Sequence, residues 1–474
     1  LLIDGNLSNN TTSNTWYHSV EFLCQGRSYD LNGIEINNAC GEGAILTGEN
    51  PRVDGFRAMN LNGNGVHLND TTNDAYLNNI VVDTCNLQAA TMGHANGGII
   101  ASSNIFRSEL HQFRVVNSRL AGVAAWDSTD NAFAKITKGY IENCWQGLWN
   151  ECTSQTVEGI EIRDVEVRNC GMSSLGVTKS SNTQAANWAK KWRLLNLKFY
   201  DSTVLLQGLL DSEVQIDLYH SNSGTLTSTN TAAAVTYPSV TDNYTDINGR
   251  SISGMLMAQS CQKTKFDIRV EDAGSKSGKY NAVFQNGAGG PCINNVYNVD
   301  TTGNESGVNI TGVHIGCSGF LQAKAWTSGF TGINIAPSAH AVDAAFASGY
   351  EKPRDNAFVI NAFYDTVTAN NTFCCRITAP SNANTAGWLL VSGRIHVNAA
   401  SAVGYGFACQ GTPSKLLVHD ATVVGPSSNF QPFNHSAADA TAGSRVRGLR
   451  TYPAPPALTT NWTSEDTGPY TLPA

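Results

Sequence analysis

The chain has 474 residues, only 14% of them charged, and a formal net charge of −8 from 30 Lys and Arg against 38 Asp and Glu. No net positive field exists to hold phosphates, which excludes a basic nucleic-acid binder. Asn supplies about one residue in ten beside 44 Gly, and this excess of turn formers over helix formers argues against a helical bundle or coiled coil.

The opening Leu1-Leu2-Ile3-Asp4-Gly5-Asn6 lacks a basic segment followed by an apolar stretch, so the chain reads as a mature or truncated fragment. No apolar run approaches the ~18–20 residues that span a bilayer. Short alternating segments then recur. The first are Ile34-Glu35-Ile36-Asn37, Phe56-Arg57-Ala58-Met59-Asn60 and Ile80-Val81-Val82-Asp83-Thr84-Cys85. Phe113 to Ser118, Gly139 to Cys144 and Val165 to Cys170 follow, with Asn at 117, 143 and 169, two equal steps along the chain. Leu197 to Ser202, Val214 to Leu218 and Phe266 to Val270 continue the series.

Period-two alternation predicts strands with one buried face. A repeat of this length carrying two or three such strands predicts one turn of an all-β solenoid, stacked at the inter-strand spacing. Asn suits the corner because it tolerates the left-handed conformation and its amide bonds to the equivalent Asn of the next turn. Ser118, Cys144 and Cys170 are expected to stack behind that corner. The twelve cysteines therefore read as mostly free, buried thiols rather than a disulfide framework.

Residues 171–192 and 222–258 are longer than a corner needs and read as loops that shape a binding face. Beyond about 335 the rhythm loosens. Strand patterns resume at Phe358, Cys375, Gly393 and Leu416, either as further turns or as a small β-sandwich.

These patterns resemble the right-handed parallel β-helix superfamily, which includes pectate-lyase-like enzymes and bacteriophage tailspikes. The opening Leu2-Ile3-Asp4-Gly5-Asn6 and the segments Gly65-Val66-His67-Leu68-Asn69-Asp70 and Gly122-Val123-Ala124-Ala125-Trp126-Asp127 look like a tailspike body. The polygalacturonase and pectate lyase signatures are absent, which leaves the tailspike branch ahead. The resemblance implies a β-helix body over 1–335 and a C-terminal β-rich region over 336–474, serving as more turns or as a trimerisation or carbohydrate-binding domain. It also implies a homotrimer in a virion tail that acts outside the cell on a bacterial surface polysaccharide, capsule or O-antigen.

A solenoid flank suits carboxylate pairs, since glycoside hydrolysis needs two carboxyls about 5–9.5 Å apart. Aligning the Gly-apolar openings sets Gly65…Asp70, Gly98…Ser103, Gly122…Asp127 and Gly147…Glu151 on successive turns. Asp127 and Glu151 are thereby expected as neighbours, stacked or offset by one residue, with Asp130 as a substitute partner. One carboxyl of such a pair has its pKa raised by the other and can act as the acid. Alternation from a buried Leu148 turns Trp149 and Glu151 outward, and Trp126, Trp149 and Lys179 are expected to line a sugar groove.

The competing enzyme class is a polysaccharide lyase, for which Tyr140, His111 and Arg114 are the candidates. A receptor-binding spike without catalysis is the third reading. No metal-ligand spacing, phosphate loop or dinucleotide motif is present, so no cofactor is expected.

Overall fold

The computed structural model describes residues 2–4, 18–23, 29–39, 41–69, 72–86, 97–102, 107–127, 133–152, 156–177, 187–221, 252–272, 280–287, 290–303, 306–328, 331–338, 352–378, 387–411, 415–435, 443–455, 457–458, 462–465 and 467–469. Among these residues every regular element is a strand. The chain divides into two compact units: one comprises Leu1–Lys179, Ala186–Tyr219 and Thr225–Ile252, the other Ser180–Ala185, His220–Gly224 and Ser253–Ala474.

The first unit carries two long parallel ladders. One runs through Leu2–Asp4, Tyr29–Asn37, Pro51–Met59, Tyr76–Cys85, Glu109–Ser118, Lys135–Glu142, Glu161–Arg168, Arg193–Tyr200 and Glu213–His220. The other runs through His18–Leu23, Glu42–Thr47, Val66–Leu68, Gly97–Ala101, Ala121–Asp127, Gln146–Cys152, Ser173–Val177 and Val204–Gln207. Each repeat gives one strand to each ladder and pairs with the repeat before it, an arrangement consistent with a parallel β-helix solenoid.

Register lines up like with like. Leu110, Ile136, Ile162 and Leu194 are successive partners in the first ladder, and all four are wholly buried. Each such side chain contributes about 2–3 kcal/mol of burial. The glycine openings also align: Ala121↔Gln146 and Val123↔Leu148 place Gly122 beside Gly147. A Cβ on Gly122 would sit 2.3 Å from the Ile141 side chain, so only glycine lets this strand pass over the facing one.

The corner asparagines adopt the expected conformation, with φ of 57° at Asn117, 52° at Asn143 and 46° at Asn169. The Asn143 amide donates to Asn117 Oδ1 at 3.3 Å, and that of Asn117 to Asp83 Oδ1 at 3.0 Å. Behind this corner Ser118, Cys144 and Cys170 are wholly buried, and the Cys144 amide donates to Cys170 Sγ at 3.4 Å. All ten described cysteines are buried thiols outside any disulfide.

A second column of left-handed residues crosses the middle of the first ladder: Gly33, Gly55, Asn79, Gln112, Lys138, Asp164 and Asn196. Each adds a residue to the pleat, so alternation slips by one at the same place in the seven strands from Tyr29–Asn37 to Arg193–Tyr200. Glu213–His220 lacks the extra residue and alternates without a break. The result positions the exposed face. In Glu109–Ser118 the outward residues are Glu109, His111 and Gln112, followed by Arg114 rather than Phe113.

The second unit repeats the plan. Its ladders run through Lys265–Asp272, Val296–Gly303, Ser318–Ser328, Asn356–Val367, Leu389–Ala400 and Leu416–Val424, and through Gly254–Gln259, Tyr280–Gln285, Ser306–Gly312, Ile333–Pro337, Thr372–Thr378, Gly404–Gln410 and Phe430–His435. Strands after residue 336 extend these ladders in the same parallel sense, as Phe320↔Val359 and Ile333↔Cys375 show.

Candidate functional site

Asp127 and Glu151 lie on adjacent rungs in the offset one of the two expected arrangements. Trp126 is in register with Glu151, and Asp127 with Cys152, so the two acids are offset by one residue. Positions in register share a face of a pleated sheet, and positions offset by one do not. The side chains of Trp126 and Asp127, and all of Asp130 and Lys179, lie outside the described residues.

The expected outward turn of Trp149 and Glu151 is corrected. Both are buried, Glu151 completely, because every residue of Gln146–Cys152 is covered, whichever face it occupies. Trp149 packs on Ile100, Ala121 and Ala124. Its indole donates to Glu151 Oε2 at 3.1 Å, and Ser174 Oγ donates to the same oxygen at 2.6 Å. A carboxylate closed off and bonded in this way holds the rung together and does not meet a polymer.

Of the other three candidates, Arg114 and Tyr140 meet on the exposed face of the first ladder, while His111 has partners of its own. Arg114 and Tyr140 are in-register neighbours, with the guanidinium 5.6 Å from the ring centre. The Tyr140 hydroxyl donates to Glu142 Oε2 at 2.9 Å. Burial, then the Glu142 contact, pushes the Tyr140 phenol up to about 12, so it remains protonated at neutral pH. His111 Nε2 meets Glu109 at 2.7 Å, and Nδ1 meets Thr137 Oγ1 at 2.7 Å. Both imidazole nitrogens are thus engaged, and His111 is tied to Glu109 and Thr137 rather than to Tyr140.

The same face continues through residues that sequence pattern did not single out. Arg168 pairs with Glu166 and lies 4.0 Å over the Tyr200 ring, and Tyr200 stacks on Tyr219 at 4.9 Å. The available signal was the register position: Glu142, Arg168, Tyr200 and Tyr219 are successive partners. Basic residues nearby are already partnered, Lys191 with Glu158 at 2.7 Å and Arg193 with Glu161 at 3.2 Å.

Among the described residues no three His, Cys, Asp or Glu side chains gather to hold a metal ion. No protein-family model matches this chain, and no curated protein matches it either.

Proposed function

We propose that the chain is a right-handed parallel β-helix of the phage-tailspike kind. It works as a homotrimer in the virion tail and binds a bacterial surface polysaccharide, capsule or O-antigen, outside the host cell. The observation that supports this reading is the track of Arg114, Tyr140, Arg168, Tyr200 and Tyr219 on one exposed face. Aromatic rings offer flat apolar surfaces to sugar rings, while the arginines and glutamates between them match hydroxyl and carboxylate groups. Rungs at a fixed spacing repeat the platform along a chain, as a polymer requires.

Cleavage of the bound polymer is the second reading, and the Tyr140–Glu142 contact favours it. A phenol whose proton already points at a carboxylate has a general base in place. Glycoside hydrolysis by Asp127 and Glu151 loses support, since Glu151 is sealed from solvent.

The test is binding of capsular and O-antigen polysaccharides to the full chain by surface plasmon resonance, with Arg168→Ala and Tyr200→Ala beside it. Each variant is expected to weaken binding at least tenfold with an unchanged circular dichroism spectrum. Unaltered binding in both removes the track. Assays of the products for reducing ends and for ultraviolet-absorbing unsaturated ends separate hydrolysis, elimination and binding alone, and Glu142→Gln is expected to stop any cleavage.

A further inference from the structure

Three polar side chains from successive rungs of the second ladder meet away from the track just described. Glu42 begins the strand Glu42–Thr47, His67 sits in Val66–Leu68, and Ser102 follows Gly97–Ala101. Register brings His67 and Ser102 together, since His67 is the partner of Ile45 on one side and of Ile100 on the other, and Glu42 reaches the imidazole from the start of its strand. Ser102, two residues beyond Ile100, shares the face of His67, and its amide extends the ladder by donating to Leu68 O at 3.0 Å.

Ser102 Oγ lies 2.6 Å from His67 Nε2. His67 Nδ1 lies 2.9 Å from Glu42 Oε2. Asn64 Nδ2 donates to the other carboxylate oxygen of Glu42 at 2.6 Å, and Asn64 Oδ1 in turn accepts from the Gly97 amide at 2.9 Å. With both carboxylate oxygens accepting, Nδ1 carries the imidazole proton, and Nε2 is left to accept from the serine hydroxyl. Glu42 and His67 are buried, whereas Ser102 is only partly so. The carboxylate and the base are thus shielded, and Ser102 is the most exposed of the three residues.

We propose that Ser102, His67 and Glu42 are a nucleophile, a base and an orienting carboxylate that hydrolyse carboxylic O-acyl esters. Ser102 Oγ attacks the ester carbonyl carbon while its proton passes to His67 Nε2. Collapse of the tetrahedral adduct breaks the bond to the alcohol oxygen, which takes that proton from Nε2 and leaves. Water then attacks the acyl-serine, gives one proton to Nε2, and the carboxylic acid departs as Ser102 Oγ regains it. Glu42 stays ionised throughout and stabilises the imidazolium through Nδ1. The overall change is ester plus water to acid plus alcohol, with no other reactant.

Two measurements on the full chain test this: labelling by a fluorophosphonate probe, located by peptide mass spectrometry, and hydrolysis of 4-nitrophenyl acetate. The wild-type protein is expected to carry the phosphonyl adduct on Ser102. Ser102→Ala is expected to lose the adduct and to lower hydrolysis about a thousandfold or more, and Glu42→Gln about a hundredfold or more. An unlabelled wild-type protein, an adduct on a different serine, or hydrolysis by Ser102→Ala within twofold of wild type each overturns the proposal. The wild-type labelling decides the matter even where a variant does not fold.

Discussion

Trp149 and Glu151 are two residues apart on one strand, and the indole of the first donates to the carboxylate of the second at 3.1 Å inside the protein. The pair that sequence alternation places at a sugar-facing surface is a buried brace. Ser174, on the next rung of the ladder, adds its hydroxyl to the same oxygen, so one carboxylate ties two rungs together.

This brace has a stability signature. Glu151→Ala strands two buried donors, each at about 1–3 kcal/mol, and Trp149→Ala empties a core position at about 3–5 kcal/mol. Both are expected to lower the urea midpoint by amounts of that order. A Glu151→Ala protein as stable as wild type would falsify the structural role.

The corner column predicts an ordering of substitutions at Asn143, whose φ is 52°. Asn143→Ala keeps a Cβ in the left-handed region without the polar side chain that eases it there, within the range of about 1–2 kcal/mol, and also loses the bond to Asn117. Asn143→Gly loses the bond alone. Glycine is therefore expected to be the milder change in thermal unfolding, and equal melting temperatures for the two would remove conformational strain as the cause.

His314 makes the second unit sensitive to acid. Burial holds its pKa down to about 4 from 6.5, with Nε2 donating to Thr311 O at 3.0 Å. Between those two values the unfolded chain binds a proton that the folded one refuses. The stability associated with neutral His314 is thus intact above pH 6.5 and is lost as pH falls towards 4, by about 3 kcal/mol in full. His314→Gln is expected to flatten that part of the stability–pH curve, measured by urea denaturation; an unchanged slope would assign it to other groups.

The buried thiols act in the alkaline direction. Burial pushes Cys85 up to about 12 and Cys317 up to about 11, and raises Cys144 and Cys292 as well. Their unfolded counterparts ionise near 9, so the stability they contribute is complete below that pH and falls as pH rises through 9 to 12. At pH 8 the ten described cysteines are expected to resist iodoacetamide until the protein is unfolded. Rapid alkylation of Cys144 or Cys170 in the native protein would contradict the packed column.

The glycine openings show how far pattern carries. Gly65, Gly98, Gly122 and Gly147 were alignable from sequence because close strand passage demands the smallest residue at one point in each of these rungs, and the ladder pairs them that way. The same alignment left the Asp127 and Glu151 offset open, and the hydrogen-bond register resolves it to one residue. Arg114 and Tyr140 were named as candidates, but their contact depends on the left-handed residues Gln112 and Lys138, which shift the alternation by one and which carry no glycine-like mark.

Sequence alone determined the rung: alternating apolar residues, a corner Asn and small residues behind it are local demands of a strand that must bend and restack. Tertiary structure decided which outer faces remain open. Alternation records a single buried side, so it could not report that the second ladder is covered on both, enclosing Trp149 and Glu151. Nor could it show that Glu42, His67 and Ser102, far apart along the chain, converge, because their meeting is set by register between rungs and not by spacing within one.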